Sequence, residues 1–221
     1  MATRLLLADL LPGFEQQTGH AVAIESVGGV TAARRVLDGE PFDVVLLAAD
    51  VIDQLIAAGR LEAGSQVALV HSGVAAAVRS GERRPDLSSE EAVRQSVLAA
   101  RSLGYSTGPS GVALVALFER WGIAEAIKDK LVQAPSGLPV GSLVANGEVE
   151  LGFQQLSELI AQAGIDVVGP LPPELQITTT FCAGIGVGSA HAEVVRELLA
   201  FIRSPQAAAL IERHGLEQAQ G

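Results

Sequence analysis

Three stretches combine glycines with hydroxyl or amide side chains where a strand would hand over to a helix. They are Ser26-Val-Gly-Gly-Val-Thr31, Tyr105-Ser-Thr-Gly-Pro-Ser-Gly111 and Gly152-Phe-Gln-Gln155. Glycine lets backbone approach a ligand closely, and the open N–H groups of a helix start carry partial positive charge. Together they make a cradle for an anion. The second stretch sets Ser106, Thr107 and Ser110 around a helix start, more hydroxyls than a cap requires. The first, with Gly28, Gly29 and Thr31, reads equally as a flexible turn closed by an N-cap threonine. The third, with Gln155, reads equally as a solvated helix start. Arg34 and Arg35, one turn beyond the first stretch, read as a solvated face from which one guanidinium can grip a carboxylate with two donors.

Other chemistries find little support. No G-x-S-x-G elbow occurs, and Ser110 has no histidine near it in sequence. His20, His71, His191 and His214 lack ligand spacing, and Cys182 stands alone. Gly184-x-Gly186-x-Gly188 lacks the spacing of a dinucleotide loop and reads as a sheet bend. No catalytic residue, metal site or cofactor is therefore assigned. The formal charge of −10 argues against nucleic acid as a partner. It also gives no general pull on an anion, so any anion site must be local.

The elements that must position these residues alternate along the 221 residues. Helix 3–18 carries Leu6, Leu10 and Phe14 at four-residue spacing, with Pro12 kinking it or marking its start. Strand 21–25, helix 31–38, strand 43–48 and helix 50–58 follow, the two helices stopping at Gly39 and Gly59. A long strand at 66–79 leads into a middle block. It holds helix 89–99, strand 102–105, helices 110–121 and 124–130, strand 131–134, helix 140–146, strand 149–153, helix 155–163 and strand 166–169. A second long strand at 175–187 precedes helices 190–203 and 205–214. Strands alternating with helices predict parallel βαβ units, and 48% hydrophobic residues with only 4% aromatics predict an aliphatic α/β core.

The two long strands bracket the middle block. A chain that leaves one sheet, builds another and returns gives two lobes, expected at 1–76 with 177–221 and at 77–176, with a ligand cleft between them. No stretch reaches the roughly 18 to 20 apolar residues of a membrane span. Met1-Ala-Thr-Arg4 does not open a signal peptide.

Three further stretches carry a resemblance: Thr31-Ala-Ala-Arg-Arg-Val-Leu-Asp-Gly-Glu-Pro-Phe-Asp-Val44, Pro109-Ser-Gly111 opening a helix, and Ser204-Pro-Gln-Ala-Ala208 with Glu212-Arg-His-Gly215. In their order and spacing the chain resembles the periplasmic molybdate-binding family of type II solute-binding proteins of ABC transporters. The resemblance implies a monomer of two three-layer α/β lobes joined by a hinge, serving a transporter permease. It implies a small anion, a molybdate-like oxyanion or a small organic carboxylate, held in the interlobe cleft by hydroxyls and N–H groups. By position, Gly28 and Gly29 fall where the family has a serine-rich turn, Ser110 matches the small residue of Pro-small-Gly, Pro139 a backbone contact and Gln155 a ligand tyrosine. Glycines for serines and glutamine for tyrosine point away from molybdate and toward a carboxylate or hydroxyl-bearing organic anion. The family's first strand and its serine loop would precede the helix at Thr3. Either further chain lies upstream, or the first lobe does without a central strand. The protein is periplasmic if its native start carries a signal peptide, cytoplasmic if it begins at Met1. The alternative activity is isomerisation of an unsaturated tricarboxylate, as in aconitate-isomerase-like proteins similar to this family.

Overall fold

The computed structural model describes residues 2–220. In chain order it has α1 (Arg4–Thr18), α2 (Gly29–Leu37), β1 (Val44–Ala48), α3 (Ala49–Ala57), β2 (Val67–Arg79) and α4 (Glu90–Ala99). Then come β3 (Leu103–Tyr105), α5 (Pro109–Arg120), α6 (Ala124–Ile127), β4 (Leu131–Gln133), α7 (Val140–Ala145), β5 (Leu151–Gln155) and α8 (Leu156–Leu159). The chain closes with β6 (Ile165–Pro170), β7 (Thr178–Ile185), α9 (Ala192–Ile202), α10 (Pro205–Arg213) and β8 (Glu217–Gln218). It divides into two compact units. One takes the chain up to Ser72 and again from Thr179; the other is Gly73–Thr178.

In the first unit, α1 buries Leu6, Leu7, Leu10, Leu11 and Phe14, the stripe that its helical period sets, and stops at Gly19 with φ 75°. Pro12 lies inside this helix, not at its start. The stripe packs with Leu198, Leu199 and Ile202 of α9, Ile211 of α10 and Leu69, Val70, Ala183 and Ile185 of the strands. On β1, Val45 and Leu47 meet Ile52 and Leu55 of α3. The strand pairs with β7 from Val44↔Ile185 to Ala48↔Phe181, antiparallel, and β8 pairs antiparallel with β2. The parallel pairing expected of β1 therefore gives way to a strand returning from the far end of the chain. Residues 21–25, expected as a strand, form none. Their residue types favour extended backbone, but no strand lies alongside to complete a ladder. Val22 N–H donates instead to the Glu15 carboxylate at 2.7 Å, and Ile24 stays exposed. The glycine triplet at the end of β7 serves close packing. A Cβ on Gly184 would stand 2.6 Å from Leu61 Cδ1, and one on Gly186 would stand 1.9 Å from the Phe42 carbonyl oxygen.

The second unit holds the parallel strands. β3 pairs parallel with β4 on one side and with β5 on the other, while β5 and β6 each pair antiparallel with β2. One face is sealed by Val93 and Val97 of α4, Leu114, Leu117 and Phe118 of α5, and Ile127 of α6. The other is covered by α7, which comes unusually close. A Cβ on Gly104 would sit 2.8 Å from Val140 Cγ1, and one on its register partner Gly152 only 2.5 Å from Val144 Cγ2. The expected helix 155–163 is shorter than its sequence pattern, because β5 keeps Gln154 and Gln155 in the ladder with β2.

Replacing Gly152 by alanine is expected to overpack this layer and cost about 1–3 kcal/mol, read as a lower urea midpoint at unchanged slope. Burial pushes the Cys182 thiol up, outweighing a hydrogen bond with Gln66. It should resist iodoacetamide at pH 8 in the folded protein and react at once in urea, since thiolate is the nucleophile.

Candidate functional site

Because β4, β3 and β5 run parallel, their carboxyl ends share one edge of the second unit, where helix starts follow. At this edge β3 runs into Ser106-Thr-Gly108 and α5. β4 leads through Ala134–Pro139 to α7, and β5 passes straight into α8. The expected residues Ser106, Thr107, Ser110, Pro139 and Gln155 are thus brought to one sheet edge. Gly111 explains how α5 folds back on its own loop: a Cβ there would lie 1.9 Å from the Ser106 carbonyl oxygen. That contact sets Ser106 Oγ 3.3 Å from Ser110 Oγ, long for two hydroxyls, so neither is firmly engaged by the other. Gly108, at the N-cap, has no side chain to satisfy the first-turn amides, and α5 is 12 residues long. Its start is an uncapped helix dipole flanked by two hydroxyls.

Gln155 ends β5 and is buried at 3% exposure. Its neighbour Gln154, on the opposite face of the strand, was not anticipated. Gln154 Oε1 accepts from the N–H of Val140 at 2.8 Å and of Gly141 at 3.4 Å, capping α7 where Pro139 offers no side-chain acceptor. Its Nε2 donates to Glu158 Oε2 at 2.6 Å. The two amides of α7 demand an acceptor, which fixes the orientation of the Gln154 amide and leaves its NH2 for the carboxylate. Period-two alternation from Gly152 would have revealed this pair, since Gly152 and Gln154 must share the face under α7.

In the first unit, Gly28 is the N-cap of α2 and Gly29 its first residue, with no side-chain cap; Thr31 lies exposed in the first turn. These three share one helix start, and α2 has nine residues. The adjacent arginines are committed elsewhere. Arg34 faces Asp38 at 3.7 Å, and Arg35 binds Glu40 through Nε at 2.6 Å and through a second nitrogen, reaches Glu25 at 2.7 Å, and lies over the Phe42 ring. Hydrogen bonds with Glu40 and then Glu25 raise the Arg35 pKa, and the Arg35 bond lowers that of Glu40. The expected two-donor grip is made, on the protein's own Glu40.

No group of His, Cys, Asp and Glu suited to a metal occurs among the described residues. His71 Nδ1 pairs with Thr180 Oγ1 at 2.9 Å and His214 with Asp9 at 2.9 Å, while Ser110 lies against Ser106. The edge is built from neutral donors, the means by which proteins hold small anions without a cation.

Residues 1–217 match the model of the bacterial extracellular solute-binding protein family. The chain belongs to that family. It is 39% identical over 217 residues to an aconitate isomerase of Pseudomonas, covering 96% of this chain and 82% of that protein. It is 28% identical to the molybdate-binding protein ModA of Azotobacter vinelandii, covering 95% and 84%. The solved structure of the periplasmic molybdate-binding protein of Azotobacter vinelandii superimposes with a TM-score of 0.80 at 22% identity, covering 99% of this chain and 96% of that one. The fold is α/β of the periplasmic-binding-protein type II class. A family of this kind implies a solute and a transporter partner, outside the cytoplasm. No described helix is long and apolar enough to cross a membrane.

Replacing Gln154 by leucine, which keeps its bulk, is expected to strand the Val140 and Gly141 amides. A loss of about 1–3 kcal/mol in chemical denaturation is the expected reading.

Proposed function

We propose that this protein is a solute-binding protein for a small organic polycarboxylate, which it delivers to an ABC-type transporter in the periplasm. One observation carries the ligand class. The uncapped start of α5 presents backbone N–H groups beside the Ser106 and Ser110 hydroxyls, at an edge without lysine or arginine. Such neutral donors suit the oxygens of a small anion, carboxylates among them. In the first unit, the α2 start at Gly28–Thr31 likewise has no side-chain cap. Pro139 holds the loop before α7 and Gln155 adds an amide with both donor and acceptor capacity, which suits a ligand having several carboxylates or a hydroxyl. Glycines at 28 and 29 supply fewer hydroxyls than an oxyanion such as molybdate would use, and this favours the organic ligand.

A second reading is favoured by the 39% identity with an aconitate isomerase. In that reading the same polycarboxylate is not handed on but has its double bond moved.

Calorimetric titration should give saturable heat with aconitate or a related tricarboxylate and none with molybdate, tungstate or sulfate. Ser110→Ala should weaken the carboxylate about tenfold or more, the loss of one hydrogen bond to a charged group. Saturation by molybdate with no response to any carboxylate would overturn the ligand class.

A further inference from the structure

Where α9 meets the turn before β2, the first unit holds a cavity of about 320 Å3, lined by residues of that unit only. Helical spacing sets one wall. Arg196, Leu199, Ala200 and Arg203 stand at i, i+3, i+4 and i+7, a single row of side chains along the helix. Arg203 is the C-cap of α9 and keeps helical backbone angles, so the row reaches it unbroken. Opposite lies the turn 62–65, made possible by Gly64 at φ 77°. It is tied to β7. Glu62 N–H donates to the Ile185 carbonyl at 2.8 Å, and Ser65 Oγ accepts from the Ile185 N–H at 3.0 Å. Behind these, Val67, Ile185 and Leu199 belong to the core that α1 covers, and they give the cavity an apolar floor.

Charge sets this cavity apart. The protein has a net charge of −10, yet two arginines and one glutamate line the cavity. The arginines are not equivalent. Arg196 reaches across to Glu62 at 3.9 Å and also pairs with Glu193 on its own helix. Arg203 has no side-chain hydrogen bond or ion pair among the described residues. The Ser65 hydroxyl spends its one donor on the Glu62 carbonyl at 2.8 Å, which leaves none for an anion. The cavity therefore offers one free planar guanidinium, the group that grips a carboxylate with two parallel bonds. Its apolar side chains can cover a hydrocarbon body, and Glu62 repels a second anionic group.

We propose that this cavity binds a small amphiphilic monocarboxylate. Its carboxylate lies on Arg203, and its aliphatic body runs along Leu199 and Ala200 towards Val67. Seven helical residues separate the two arginines by about 10 Å, room for several methylenes. A tricarboxylate would find no donor here for its second and third carboxylates, so the site is independent of the ligand proposed above.

Proton–nitrogen correlation NMR of the labelled full chain, titrated with butanoate, hexanoate and octanoate, tests the proposal. Hexanoate should shift the amides of 62–67 and 196–203 along saturable curves, with a Kd of about 1 mM or lower. Each added methylene should tighten binding about two- to fourfold. Hexanol, with the body but no charge, and hexanedioate, charged at both ends, should each bind about tenfold more weakly or worse. Arg203→Gln should weaken hexanoate about tenfold at an unchanged thermal midpoint. Ala200→Leu, which fills the cavity from the exposed surface of α9, should abolish the saturable shifts. A wild type without saturable shifts in these two segments overturns the site, and so does equal hexanoate binding by Arg203→Gln. Hexanedioate binding as tightly as hexanoate overturns the single-carboxylate class.

Discussion

The second unit depends on a layer with no room in it. Gly104 and Gly152, opposite each other in the β3–β5 ladder, allow Val140 and Val144 of α7 to press against the sheet at distances no side chain would permit. That approach puts the first amides of α7 within reach of Gln154, two residues further along the same face of β5. Gln154 then carries the constraint outward to Glu158. A packing requirement between two glycines is thus translated, through one buried amide, into the placement of a carboxylate at the edge where α5 also begins. Interiors are packed densely enough for such a chain to transmit position rather than absorb it.

Much of this was legible in the sequence. The order of helices and strands, the two long strands and the hydroxyl-rich start of α5 followed from local signals: period, caps, glycine stops. What escaped was decided by partners distant in sequence. Residues 21–25 have strand-forming side chains, but a strand exists only where another offers its backbone, and Val22 finds Glu15 instead. β1 has the composition of a parallel strand and pairs antiparallel, because its neighbour β7 comes from over 130 residues away along the chain. Gln154 and Gln155 carry no strand signal; the ladder with Val74 and Ala75 of β2 holds them extended.

The site shows the same division. Ser106, Thr107 and Ser110 were visible because hydroxyls and glycines clustered within seven residues. Gln154 was hidden by a register of one. Reading the strand to end at Phe153 makes the glutamines a helix start with arbitrary facing, whereas two more residues of strand assign them to opposite faces. The arginine pair was conspicuous in sequence, yet in the structure it is absorbed by Asp38, Glu40 and Glu25. Charge density in a sequence marks where ion pairs can form, not which of them a ligand will meet.

A protein of net charge −10 that is to hold an anion, as proposed, must work against its own field. The long-range repulsion is screened within about 8 Å at physiological ionic strength, so only groups in contact with the ligand decide the outcome. Backbone amides and hydroxyls at the start of α5 supply attraction at that range without introducing a cation. Giving the α7 amides to Gln154 keeps a second source of positive potential from being spent on the ligand. What remains is a helix start that supplies attraction without a cation.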